Sequence, residues 1–284
     1  MTCNASSSDH PAAGPEAGAG ATPDSGPVLV VCAVEERLAV VLAAQGQVMA
    51  AEGDQGQGLA MTFLAPAVAR VLGRAGLSPQ DLSGVACVRG PGSFTGIRVG
   101  LALCRGLCLG AGLPMSGLDY LPLVARGAAL HDPGAGRVAV VVHARKGLVY
   151  FQTFEVKGRE LPVAVESPRV LAAPRAAALA ATLAADTGGG LFRVAGSGLR
   201  NNREVFAASL PLETLLPEAA AFPGPSALAL AATGPSRERP VPAEPLYLRG
   251  SDAEKYLPTF AGERGLTLEE ARAVLGAACS IPPS

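Results

Sequence analysis

Three short apolar runs, 28–34, 37–43 and 47–51, are separated by the polar pairs Glu35-Glu36 and Gln45-Gly46. Runs of that length, broken by turn residues, predict a meander of three antiparallel strands. A helix over 58–75 follows, because Leu64, Val68, Val71 and Leu72 recur at the helical period and Gly76 supplies its stop. Next come a strand at 84–88, a helix at 95–110, a short strand at 113–117 and a helix at 118–130. Asp132-Pro133-Gly134-Ala135-Gly136 is a break. Beyond it the order begins again: strands 137–142, 148–156 and near 162–165, helix 174–186 led by Pro174, strand 191–195, and helices near 199–208 and 225–232. Three strands followed by alternating helix and strand, twice over, predict two similar α/β lobes. No sequence repeat links them. Residues 234–242 carry three prolines and read as a linker, and Thr267 with Glu270 forms a capping box for a last helix at 268–278.

Between the strand at 84–88 and the helix at 95–110 stands Arg89-Gly90-Pro91-Gly92-Ser93-Phe94-Thr95-Gly96-Ile97-Arg98. The glycines permit a tight turn, and Ser93 or Thr95 can cap the free amides of the helix start. An exposed helix N-terminus after such a turn is also a place for an anion. The spacing misses each familiar motif. No lysine follows Gly96 as a Walker loop requires, Gly90, Gly92 and Gly96 do not match the dinucleotide fingerprint, and Thr95 occupies the second glycine position of a nucleophile elbow. Spacing alone favours a tight turn entering a core helix and leaves a phosphate site open.

The helix itself is apolar nearly all round, so it is buried in a core or at an interface. Gly96, Gly100, Cys104 and Cys108 recur every four residues as a stripe of small side chains. That stripe fits either another helix approaching closely or packing on the chain's own sheet.

Composition narrows the choice of chemistry. The 284 residues are 49% hydrophobic and 17% charged, with a net charge of −1, which describes a globular chain without the basic excess of an autonomous nucleic-acid binder. The six cysteines form no Cys-x-x-Cys pair and read as reduced thiols, with Cys104 and Cys108 as small core residues. Of three histidines, His10, His131 and His143, no two lie at helical i,i+4 spacing, so no metal pair is legible. His143 with Arg145 and Lys146 reads as a solvated strand end, and Glu35-Glu36 as a solvated turn. Ser93 has no neighbouring base to activate it. The longest apolar stretch, 97–115, is broken by Arg98, Arg105 and glycines, so no membrane segment is expected.

The 89–98 run resembles the signature of the TsaB (YeaZ-like, Gcp-like) family, partner subunits in bacterial tRNA threonylcarbamoyladenosine synthesis. Three further segments match in the same order: 143–150, Val194-Ala195-Gly196-Ser197-Gly198, and Glu244-Pro245-Leu246-Tyr247-Leu248-Arg249. The resemblance spans about residues 28–255 and departs at two places. Cys32-Ala33 stand where the family's first strand ends in Asp-Thr, and His143 and Leu148 replace acidic positions of the second lobe. A thiol and a methyl are poor ligands for a hard cation.

The resemblance implies two actin-like ATPase (ribonuclease H-like) lobes with mixed sheets flanked by helices. The expected division is a disordered tail at 1–27, an N-terminal lobe at 28–131, a C-terminal lobe at 132–250 and an extension at 251–284. It implies a cytoplasmic, non-catalytic subunit that binds and activates a TsaD-like enzyme acting on tRNAs reading ANN codons. A TsaE-like ATPase and a second copy of the chain are further expected partners, and tRNA is met only through the complex. No cofactor is expected on this chain alone, with ATP or ADP and metal entering only in the complex. The implied partner interface comprises Leu64, Val68, Gly96, Arg98, Gly100 and Cys104, beside the signature turn of Gly90, Pro91, Gly92, Ser93, Phe94 and Thr95. The alternative is a kinase- or peptidase-like nucleotide-binding enzyme of the same fold.

Overall fold

The computed structural model describes residues 26–56, 58–186, 190–234, 241–248, 252–271 and 273. Its strands are β1 (Val28–Cys32), β2 (Arg37–Ala44), β3 (Gln47–Gln55), β4 (Gly84–Val88), β5 (Met115–Leu118), β6 (Ala135–Arg145), β7 (Leu148–Glu155), β8 (Val163–Ala164), β9 (Arg169–Ala172) and β10 (Leu191–Ala195). Its α-helices are α1 (Ala60–Ala75), α2 (Phe94–Ala111), α3 (Tyr120–His131), α4 (Ala173–Ala185), α5 (Arg203–Ala207), α6 (Pro225–Thr233) and α7 (Asp252–Glu263).

The strands form two sheets of five. The first runs β3-β2-β1-β4-β5, with β1, β2 and β3 antiparallel and β4 and β5 parallel to β1. The second runs β10-β6-β7-β8, with β9 also on β7; β6 and β7 are antiparallel and β10 is parallel to β6. Each sheet is therefore an antiparallel meander extended by parallel pairing, and mixed sheets flanked by helices are present as the α/β expectation requires.

Period-two alternation places the inner strands between two cores. Leu29, Val31, Val40 and Leu42 join Leu64, Val68, Val71 and Cys104 in an outer core beneath α1 and α2. The alternate residues Val30, Cys32, Val41 and Ala43 join Val138, Val140, Val142 and Tyr150 of the second sheet, with Leu123 and Val124 of α3 and Leu228 of α6, in a central core shared by both sheets. A third core, built on Phe151, Ala176, Ala180 and Phe206, lies under α4 and α5. The layers thus run helices, sheet, helices, sheet, helices.

The middle layer is exchanged between the halves of the chain. Helix α3, which follows the first sheet, packs on β6, and α6, which follows the second, packs on β1, β2 and β3. Two sheets that share one apolar core cannot separate fully without exposing it.

Several elements differ from expectation. Strand β9 and helix α7, which has Pro258 inside it, were not expected. The expected helix over 199–208 shortens to a 3₁₀ turn at Ser197–Leu199 and the five residues of α5, because Asn201-Asn202 interrupt it. The capping box before the last helix is formed, Thr267 N–H donating to Glu270 and Glu270 N–H to Thr267 Oγ. The expected tail, apart from Gly26 and Pro27, lies outside the described residues, as do most of the 234–242 linker and most of 268–278.

Candidate functional site

The signature run is a packed joint. Ser93 caps α2, its hydroxyl accepting the Gly96 N–H at 3.2 Å. Ser93 N–H donates to the carbonyl of Val34 at 2.6 Å. A Cβ on Gly92 would fall 2.0 Å from that carbonyl oxygen, and one on Gly96 would fall 1.9 Å from the Ala33 oxygen. Glycine is needed here because the β1–β2 turn lies directly on the start of α2. The backbone oxygens of Ala33 and Val34 fill the space beside Gly96 and Gly92. Gly90, at φ +120, precedes a cis bond to Pro91, and its Cβ would meet the Leu246 oxygen at 2.7 Å.

The C-terminal motif segment closes over the same joint. Leu246 N–H donates to the Arg89 carbonyl at 2.9 Å, and Val241 bridges Gly117 of β5. Tyr247 stacks on Phe94 with ring centroids 4.9 Å apart; Arg98 lies 3.7 Å over the Phe94 ring and donates to the Tyr247 hydroxyl at 3.2 Å. Phe94 and Tyr247 remain 39% and 40% exposed.

The other two motif segments meet opposite. A Cβ on Gly196, at φ +124, would fall 2.2 Å from the Val141 oxygen, which presses the turn after β10 onto β6. His143 N–H donates to Ser197 Oγ at 3.0 Å, and Ser197 Oγ donates to Glu35 Oε1. Glu35 Oε2 accepts the Tyr120 hydroxyl at 2.6 Å. Beside it, Arg200 pairs with Glu36 and reaches Glu218 at 2.5 Å. Arg37 and Arg200 both lie over the Phe222 ring, at 4.5 and 5.7 Å.

The Glu35-Glu36 doublet is therefore not a solvated turn. Its side chains join the two lobes. Burial pushes the Glu35 carboxyl up to about 7, against the Ser197 and Tyr120 hydroxyls that favour the charged form. Burial holds His143 below the usual imidazole value and pushes the Cys32 thiol up to about 12. Arg145 and Lys146 are exposed, as a solvated strand end requires. No group of three His, Cys, Asp or Glu side chains among the described residues is placed to hold a metal ion. No periodicity or spacing could have pointed to Glu35, whose partners lie 85 and 162 residues away.

The small-residue stripe points inward, which corrects the expected interface. Cys104 is fully buried, and a Cβ on Gly100 would touch Cys87 Sγ, Ala33 Cβ and Val31 Cγ1 at 3.5 to 3.8 Å. Leu64 and Val68 are 1% and 5% exposed beneath α1. All of these pack against the chain's own first sheet, where β4 and β1 lie close under α2. Of the six expected interface residues only Arg98 is exposed. By length and apolarity α2 could cross a membrane; in the structure its inner face is packed on this sheet.

The outward faces of the same helices mix small and apolar residues with the exposed arginines Arg70, Arg74, Arg98 and Arg105. Helix α1 presents Met61, 75% exposed, with Ala65 and Ala69; α2 presents Ala102, Gly106 and Leu109, the last 80% exposed. No atom lies within 4 Å of a Cβ built on Gly106.

Similarity to known proteins agrees with this geometry. The family model described as "TsaD: tRNA N6-adenosine threonylcarbamoyltransferase" matches residues 61–231, more than half of the chain. The tRNA threonylcarbamoyladenosine biosynthesis protein TsaB of Escherichia coli K12 is 43% identical over 90 residues, 32% of this chain and 38% of that protein. The chain belongs to the TsaB/YeaZ family. TsaB of Bacillus subtilis 168 is 32% identical over 108 residues, 38% of this chain and 46% of the relative, so the matches span less than half the length of these curated relatives. A Pseudomonas aeruginosa crystal structure described as an uncharacterized protein with similarity to peptidase YEAZ superposes with a TM-score of 0.64 at 25% identity, over 79% of this chain and all of that one. The signature joint thus sits in a TsaB/YeaZ-family fold whose motif segments converge at one end of both sheets.

Proposed function

We propose that this chain is the non-catalytic partner of a TsaD-like subunit in the synthesis of N6-threonylcarbamoyladenosine beside the anticodon of tRNAs reading ANN codons. The observation that carries the proposal is the occupied start of α2. Ser93 N–H donates to the chain's own Val34 carbonyl and Gly96 N–H to Ser93 Oγ, and the space beside Gly92 and Gly96 is filled by backbone. A helix N-terminus in that state is poorly suited to receive a phosphate. This weighs against a kinase-like or other nucleotide-handling role for the chain acting alone.

The docking surface we assign is the outward face of α1 and α2, around Met61, Ala65, Ala102, Gly106 and Leu109, with Arg98 at its rim. Small side chains there allow a partner helix to approach closely, and the two exposed apolar side chains gain by burial. A TsaD-like subunit is the proposed occupant, and a second copy of this chain competes for the same face. ATP or ADP, metal, a TsaE-like ATPase and tRNA enter through the assembled complex, in the cytoplasm.

Reconstitution tests the proposal. Purified chain, the TsaD-like protein and the TsaE-like ATPase of the same cell, ATP with a divalent metal, threonylcarbamoyl adenylate and tRNA are combined and omitted one at a time. Modified tRNA should require both the chain and the TsaD-like protein, and the chain alone should neither modify tRNA nor hydrolyse ATP. Turnover by the chain alone, lost on substitution of one of its own residues, would overturn it.

A further inference from the structure

Helices α1 and α2 carry four arginines, Arg70, Arg74, Arg98 and Arg105, and no aspartate or glutamate. All four are exposed. Glu52 of β3 answers two of them, lying 2.6 Å from Arg70 and 2.7 Å from Arg74. The other two have no carboxylate. Arg98 lies over the Phe94 ring and donates to the Tyr247 hydroxyl, and no ion pair among the described residues includes Arg98 or Arg105. Asp81, in the 3₁₀ turn beyond α1, is already taken by the Ser78 amide and hydroxyl, at 2.7 and 2.6 Å. Arg98, Ala102, Arg105 and Leu109 stand on one ridge of α2, at steps of four, three and four residues. The two unanswered cations therefore alternate with the small and apolar positions assigned to docking.

We propose that this face selects its occupant by charge: it accepts a partner whose apolar docking helices carry carboxylates opposite Arg98 and Arg105, and it disfavours a second copy of this chain. The proposal rests on the reading that a TsaD-like subunit docks here, and adds the chemistry that subunit must present. Two copies would meet in an isologous contact, each patch against the same patch of its mate. Packed helices lie about 8–10 Å apart, so the arginines of one copy would face those of the other. Neither helix pair holds a carboxylate to place between them. Guanidinium groups do not give up their protons, so the repulsion cannot be relieved by titration. Like charges so placed are a strong bar against a wrong partner. The small side chains admit either occupant; the arginines tell them apart.

The two complexes should therefore respond to salt with opposite signs. The screening length is about 10 Å at 0.1 M salt and about 3 Å at 1 M, so charges across a helix–helix contact feel each other in the first and hardly at all in the second. Salt weakens the attraction between these arginines and a partner's carboxylates. It relieves the repulsion between two copies. Apolar contact alone would move both complexes in the same direction.

The test uses the full chain, Arg105→Glu, Arg105→Gln and Gly106→Leu, the last of which blocks close approach without changing charge. Each is titrated against the TsaD-like subunit by calorimetry and run alone in sedimentation velocity, at low and high potassium chloride. Arg105 is exposed and has no ionic partner in the chain, so its variants should keep the wild-type Tm. Wild type should bind the subunit more tightly at low salt and be monomeric there when alone, any dimer growing as salt rises. Arg105→Glu should lose about tenfold or more in affinity for the subunit, Arg105→Gln less, and Arg105→Glu should self-associate more readily than wild type at low salt. If Arg105→Glu binds as tightly as wild type while Gly106→Leu does not, charge selection is overturned and the docking face stands. Equal binding by every variant, or no complex at all, would overturn the docking reading and this proposal with it. A wild-type dimer at low salt that Gly106→Leu abolishes would also overturn the proposal.

Discussion

Gly100→Leu and Gly106→Leu lie six residues apart on one helix and should change the protein in opposite directions. At Gly100 the first added carbon fits, at 3.5 to 3.8 Å from Cys87, Ala33 and Val31. The other three must enter the packed layer between α2 and the first sheet, where overpacking costs about 2 kcal/mol. Removing a helix-interior glycine offsets up to about 1 kcal/mol. The net is a loss of about 1 kcal/mol, or roughly 2–4 °C in Tm for a chain of this size. At Gly106 nothing lies within 4 Å, so only the helix gain remains and Tm should rise by a similar amount. Gly100→Ala supplies the control, since its single carbon makes ordinary contacts and should raise Tm. Scanning calorimetry on the three variants, with titration of each against the TsaD-like subunit, separates packing from docking. A Gly100→Leu protein more stable than wild type, or a Gly106→Leu protein less stable, would refute the assignment of inner and outer faces.

Further expectations concern the joint. Gly96→Ala should be the most damaging single-carbon change, costing about 3 kcal/mol, because its Cβ would lie 1.9 Å from a backbone oxygen that cannot rotate away; a Tm within 2 °C of wild type would contradict it. Ser93→Ala removes the cap of α2 and should cost about 1 kcal/mol in denaturant titration, with the m-value unchanged. Arg98→Ala removes the cation over Phe94 and a hydrogen bond at an exposed site, so its effect on stability should stay below about 1 kcal/mol.

The sequence was legible where local physics decides the outcome. Both meanders, the glycine turn and the Ser93 cap follow from apolar runs and turn chemistry. The facing of α2 did not follow. Apart from Thr95, Arg98 and Arg105, this 18-residue helix is built of Phe, Ile, Val, Leu, Cys, Ala and Gly and contains two small-residue stripes, 96/100/104/108 and 102/106/110. The signal that could have separated them is Arg98 and Arg105, which lie seven residues apart on the side of Ala102 and Leu109 and are exposed. The structure decides it through Ala33, whose carbonyl occupies the space beside Gly96. Glu35 was misread for a related reason. A Glu-Glu pair between two strands ordinarily points to water, and its burial depends on Tyr120 and Ser197, which only the tertiary fold brings near. The exchange of α3 and α6 between the halves is likewise a property of the connections, invisible to any local pattern.

The affinity of the purified chain for the TsaD-like subunit, measured by calorimetric titration with wild type and Leu109→Glu, tests the central claim most directly. Leu109 is 80% exposed and outward on α2, so glutamate there should leave Tm unchanged while removing an apolar contact and placing a charge in the interface. The account predicts a wild-type complex and a loss of affinity on the order of a hundredfold or more for the variant. Wild-type affinity in a folded Leu109→Glu protein, or no complex with either form, would contradict it.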